Sequence, residues 1–132
     1  MKAGTPIEPV TKGPITLEML KLYAKASGDP NPIHTDEEAA RKVGLPGIIA
    51  HGMLSAGFLS DRAIRFMKPV EKNWKLTSFQ SRFKSMTYLG DVVTVAGTVK
   101  SSDDHSIMLE LTATNPKGEV TTLARAEFTP RR

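Results

Sequence analysis

His51-Gly52-Met53-Leu54-Ser55-Ala56-Gly57-Phe58-Leu59-Ser60 is apolar on nearly every helical face, and four strand-like runs follow it. A helix without a polar stripe, here reaching to about Met67, is expected to be buried on every side. The runs that follow cover residues 74–84, 91–100, 106–114 and 119–129. The third alternates cleanly, with Ile107, Leu109, Leu111 and Ala113 on one face and Ser106, Met108, Glu110 and Thr112 on the other. Asn115-Pro116-Lys117-Gly118 reads as a hairpin turn, and Ser101-Ser102-Asp103-Asp104 as another. One buried helix followed by consecutive antiparallel strands requires a sheet curved around that helix, an α+β architecture.

Upstream, residues 5–14 are rich in Pro, Thr and Gly and read as a short lead-in strand or extended arm. Thr16 can cap a helix through Leu17, Leu20, Tyr23 and Ala24 toward Ser27, with Gly28 at its exit. Thr35-Asp36-Glu37-Glu38 reads as a capping box with Thr35 as the cap, starting a second helix over about 36–43. Between the two lies Ser27-Gly28-Asp29-Pro30-Asn31-Pro32-Ile33-His34. The prolines at 30 and 32 fix their own φ and push Asp29 and Asn31 away from the α region, so the loop is stiff. It presents one carboxylate and one imidazole. That combination suits proton transfer to or from a bound water, and equally suits an ordinary turn between helices. On local chemistry both readings stand.

Tyr23, the run from Ala26 to His34, and His51-Gly52-Met53 together resemble the (R)-specific enoyl-CoA hydratase family, also known as MaoC-like dehydratases. The likeness continues more weakly through Arg82-Phe83-Lys84 and Gly90-Asp91, which look like the family's strand-turn-strand pattern, and departs at Met86, where members often carry proline. The resemblance implies a single hot-dog domain over residues 1–132. It also implies reversible hydration of trans-2-enoyl thioesters to (R)-3-hydroxyacyl thioesters, with Asp29 and His34 holding one water. The backbone N–H of Gly52, in the first turn of the buried helix, is the expected oxyanion donor; packing is the competing reason for a glycine there. Asn31 orients the loop by side-chain hydrogen bonds or is a turn residue only. Ser60 matches a site-lining position of the family, or is a serine bonded back to its own helix. His51 is expected at the helix start, lining the site, with its ring bonded to nearby chain. The third histidine, His105, falls in a polar turn.

Composition narrows the partners. The chain has 132 residues, 39% hydrophobic, enough for one core. No apolar run reaches the roughly 20 residues that span a bilayer, and Met1-Lys2-Ala3-Gly4-Thr5-Pro6 lacks a signal-peptide core. With no cysteine, disulfides and thiolate chemistry are excluded. A cytoplasmic protein is expected. Net charge is +4, with the basic residues scattered and no nucleic-acid module present, which fits coenzyme A phosphates or an acidic acyl carrier protein. The three histidines lack paired metal-ligand spacing, so no metal and no cofactor is expected. In the family, the sheets of two subunits join edge to edge, which implies a homodimer or higher oligomer, with a heteromer as the variant. Two other functions compete. A hot-dog thioesterase would carry its acid nine residues after the helix-start histidine, where this chain has Ser60, with Asp61 one position further on. A non-catalytic subunit would have no reason to keep both Asp29 and His34, although the catalytic half of a heteromeric dehydratase would.

Overall fold

The computed structural model describes residues 1–70 and 73–131. Its strands are β1 (Pro6–Lys12), β2 (Trp74–Phe83), β3 (Val93–Ser102), β4 (Ile107–Thr114) and β5 (Val120–Pro130). Its α-helices are α1 (Leu17–Ser27), α2 (Glu37–Lys42) and α3 (Gly52–Met67). The strands form one antiparallel sheet in the order β1-β3-β4-β5-β2. β2 and β3 are consecutive in the chain yet not neighbours in the sheet. The chain after Arg82-Phe83-Lys84 therefore crosses over rather than closing a hairpin.

The alternation in β4 produces the core directly. Ile107, Leu109, Leu111 and Ala113 are all buried. Leu109 sits between Val99 of β3 and Ala126 of β5, and Leu111 between Gly97 and Ala124. Small residues beside each leucine leave room for α3, which packs mainly on β5 and β4 through Ala56, Leu59, Ala63 and Met67. Those four recur at helical spacing, so one side of α3 is sealed.

The other side is not. Met53 is 60% exposed and Ile64 44%, and Gly57 is exposed between them, so the expectation of a helix buried all round is corrected. Periodicity counts apolar residues and cannot count the surfaces available to cover them; a single curved sheet covers one face. Two local expectations also shift. The cap of α2 is Asp36, whose Oδ1 accepts from the N–H groups of Glu38 and Ala39, because Thr35 is already used to close a preceding 3-10 turn. Ser101 and Ser102 belong to β3, carried past the expected turn by a bulge after Val99. The turn itself is organised by Asp103 Oδ1, which accepts from the N–H groups of His105 and Ser106. The Asn115 turn forms as expected, with the Gly118 N–H on the Asn115 carbonyl at 2.9 Å.

At Gly97, β3 runs so close to β4 that a Cβ would fall on the Glu110 carbonyl and 3.0 Å from the Leu111 Cα. Both obstacles are backbone, so neither can swing aside. Gly97→Ala is expected to destabilise by about 1–3 kcal/mol or more, the usual result of overpacking, read as a lower urea midpoint. An unchanged midpoint would show that the strands can separate without loss.

Candidate active site

The loop between α1 and α2 is built from its own side chains. Thr16 Oγ1 accepts from the Met19 N–H at 3.1 Å and starts α1. Gly28 ends it at φ 76°, a left-handed conformation that glycine adopts without strain, and turns the chain into the loop. Pro30 and Pro32 have no N–H. The N–H groups of Asn31 and Ile33 each go to the side chain two residues earlier, Asp29 Oδ1 and Asn31 Oδ1, both at 3.2 Å. Asn31 thus caps the 3-10 turn Pro32–His34.

His34 is the fixed point. Its ring is buried, and Nδ1 lies 2.8 Å from the Ile49 carbonyl oxygen. A carbonyl only accepts, so Nδ1 carries the hydrogen and Nε2 is left with a lone pair. Nε2 lies 3.9 Å from Asp29 Oδ2, too far for a hydrogen bond. An oxygen atom about 2.8 Å from each would bridge them. The Asp29 side chain is 51% exposed, so this gap opens outward.

The segment entering α3 holds the loop from the other side. The Ile49 N–H donates to Ile33 O at 3.3 Å, and the Ala50 N–H to Thr87 O at 2.7 Å. His51 follows at the start of α3, with its ring stacked on His34 at 3.8 Å between centroids and Tyr23 tilted against it at 4.8 Å. Its Nε2 donates to the main-chain oxygen of Asp29 at 3.4 Å, a residue distant in sequence. Burial, and next the neighbouring His34, hold the His51 imidazole below its ordinary value.

Gly52 is the first residue of α3, where an N–H has no intrahelical acceptor. A methyl there would sit 3.2–3.4 Å from the Phe83 ring. Ser60 stands apart from this cluster: it lies about two turns further along α3, and its hydroxyl donates to Gly57 O at 3.1 Å. Met86 is exposed and accepts from the Tyr88 hydroxyl at 4.0 Å.

Asp29, His34 and His51 bring donor atoms within 4.8 Å of one another, a cluster that sequence spacing did not foresee. The two rings are only 23° from parallel. Their lone pairs lie in separate planes and do not converge at the 2.0–2.1 Å that a histidine-bound zinc needs. A concavity of about 910 Å³ lies elsewhere, on the outer face of the sheet between Arg82, Thr98, Glu110 and Arg125. Glu110 there is paired with both Arg125 and Lys100.

A sheet curved over one helix, with an acid and an imidazole facing each other beside the helix start, is the hot-dog architecture of a hydro-lyase family. The chain belongs to the MaoC-like domain family, whose model matches residues 1–121. It is 37% identical over 78 residues to the (R)-specific enoyl-CoA hydratase of Rhodospirillum rubrum, covering 59% of this chain and 53% of that one. The fold matches the (R)-hydratase from A. caviae involved in PHA biosynthesis (TM-score 0.83, 22% identity, 98% and 96% of the two chains). It also matches the ChsH1-ChsH2 complex of Mycobacterium tuberculosis (TM-score 0.85, 20% identity, 98% of each chain). The chain spans only 3–24% of the length of three further curated relatives, two fatty acid synthase chains and a 3-hydroxyacyl-thioester dehydratase. No helix among the described residues is long and apolar enough to cross a membrane.

Asn31→Ala removes the side-chain oxygen that holds the Ile33 N–H. It is expected to cost about 0.5–2 kcal/mol, whereas Asn31→Asp keeps the acceptor and most of the stability. Denaturant unfolding of the pair checks this, and equal losses would mean that the cap is not what holds the loop.

Proposed function

We propose that the chain hydrates trans-2-enoyl thioesters reversibly to (R)-3-hydroxyacyl thioesters. The observation that carries this reading is the 3.9 Å gap between His34 Nε2, bare because Nδ1 is bonded to Ile49, and Asp29 Oδ2. A water in that gap donates one hydrogen to each. As its oxygen bonds to C3, the pair takes up a water proton and delivers a proton to C2 on the same face, so that H and OH add overall. Negative charge collects on the thioester oxygen, toward which the unpaired Gly52 N–H at the α3 N-terminus is directed in this reading. Dehydration runs the same steps backwards.

The thioesterase reading lacks its acid. Ser60 is bonded to its own helix, and Asp61 is held by Arg65 at 3.0 Å and Lys12 at 3.7 Å. A net charge of +4 suits a substrate carried on coenzyme A or an acyl carrier protein, and the reading places the protein in the cytoplasm. The expected assembly is a homodimer; the ChsH1-ChsH2 match keeps a heteromer with a sister chain as the variant. Residues 80–83 of β2 are an exposed sheet edge, and Met53, Phe83 and Met86 are exposed apolar groups beside the helix start. Sedimentation at micromolar protein should therefore show a dimer or larger, and an active monomer would refute it.

Asp29→Asn and His34→Gln keep size and remove proton transfer. Each should lower kcat on crotonyl-CoA or crotonyl carrier protein about 10²–10⁴-fold, with the double variant scarcely worse, because the two act as one unit. Loss of the enoyl-thioester absorbance and chiral analysis of the product report this. An (S) product, hydrolysis without hydration, or full activity in Asp29→Asn would each sink the reading.

A further inference from the structure

Two imidazoles meet face to face at the start of α3, and the hydration mechanism uses only one of them. His51 is 3% exposed and makes no side-chain hydrogen bond to the helix it begins. A residue kept only as a cap would turn toward the free N–H groups of that helix. His51 turns the other way: its face stacks on His34, its Nε2 edge reaches the main-chain oxygen of Asp29, and Tyr23 closes its third side. Among the described residues, its Nδ1 is buried with no hydrogen-bond partner.

We propose that His51 is a positioning residue that sets the mutual geometry of Asp29 and His34, stacking on one and hydrogen-bonding the main chain of the other. Its effect on turnover rests on the hydration reading; its contacts do not. Donation to a carbonyl makes the neutral ring the Nε2–H tautomer, with Nδ1 bare. Protonating it would bury an unpaired N–H beside the ring that must itself take up a proton. The titratable groups facing His51 are Tyr23 of α1, Asp29 of the loop and His34 of the 3-10 turn. A neutral His51 offers its π face to His34 when that ring becomes positive, whereas a charged one repels it. Turnover therefore needs both histidines neutral at the outset.

His51→Phe keeps the flat face and loses the donor; His51→Gln keeps the donor and loses the face. Each is expected to lower kcat about 10²-fold, the effect of a displacement of about 1 Å at reacting groups, with KM near wild type. Toward acid, the limiting slope of log kcat should be smaller by one in His51→Phe than in wild type, a change that a merely structural role would not produce. Unchanged kcat and slope in both variants overturn the proposal. If neither variant folds, a nitrogen-resolved NMR titration of the wild-type protein decides it. His51 should be the Nε2–H tautomer and gain a proton only below the ordinary histidine range; an Nδ1–H tautomer or protonation above that range overturns it. A wild-type protein without hydratase activity would sink the hydration reading and leave the NMR result standing.

Discussion

The hydrogen bond from His34 Nδ1–H to the Ile49 carbonyl, 2.8 Å long and buried, is the contact on which the site depends. It joins the loop after α1 to the segment that enters α3, which are separate in sequence. It also selects the tautomer. Without it, either ring nitrogen of His34 could carry the hydrogen; with it, the lone pair is at Nε2 and faces Asp29. The Ile49 N–H on Ile33 O and the Ala50 N–H on Thr87 O fasten the same segment on both sides. The loop is thereby tied to the segment between β2 and β3 and to the start of α3.

Much of this was legible from residues because it is local. Thr16 and Gly28 bound α1 where side-chain chemistry puts a cap and an exit. The strict alternation of β4 became its buried face residue for residue. The stiffness of the Asp29–His34 loop followed from two prolines, and the structure adds that the Asn31 and Ile33 N–H groups are taken by side chains two positions back.

What could not be read is what depends on distant partners. The stack of His51 on His34 joins positions in different elements, and no periodicity encodes it. The choice of Asp36 over Thr35 as the cap of α2 depends on the 3-10 turn, which forms only because Pro32 and Asn31 start it one residue earlier. The exposed side of α3 was misread for a related reason. Met53, Gly57 and Ile64 are as apolar or as small as the residues on the sealed side, and only the number of covering surfaces tells them apart.

That exposed side bears on the chemistry. Proton transfer to carbon is favoured in a site from which bulk water is excluded, where fixed donors act with little screening. In the single chain the Asp29 side chain is half exposed, Gly52 is open, and Met53, Phe83 and Met86 present apolar surface beside them. A chain that buries His34 to 7% exposure yet leaves the neighbouring Asp29 carboxylate open has built half of an enclosure. The apolar groups around the opening are poor company for water and good company for an acyl chain or for another apolar surface. Closing the site and covering the free face of α3 are thus the same physical requirement, and one surface laid over that face would satisfy both.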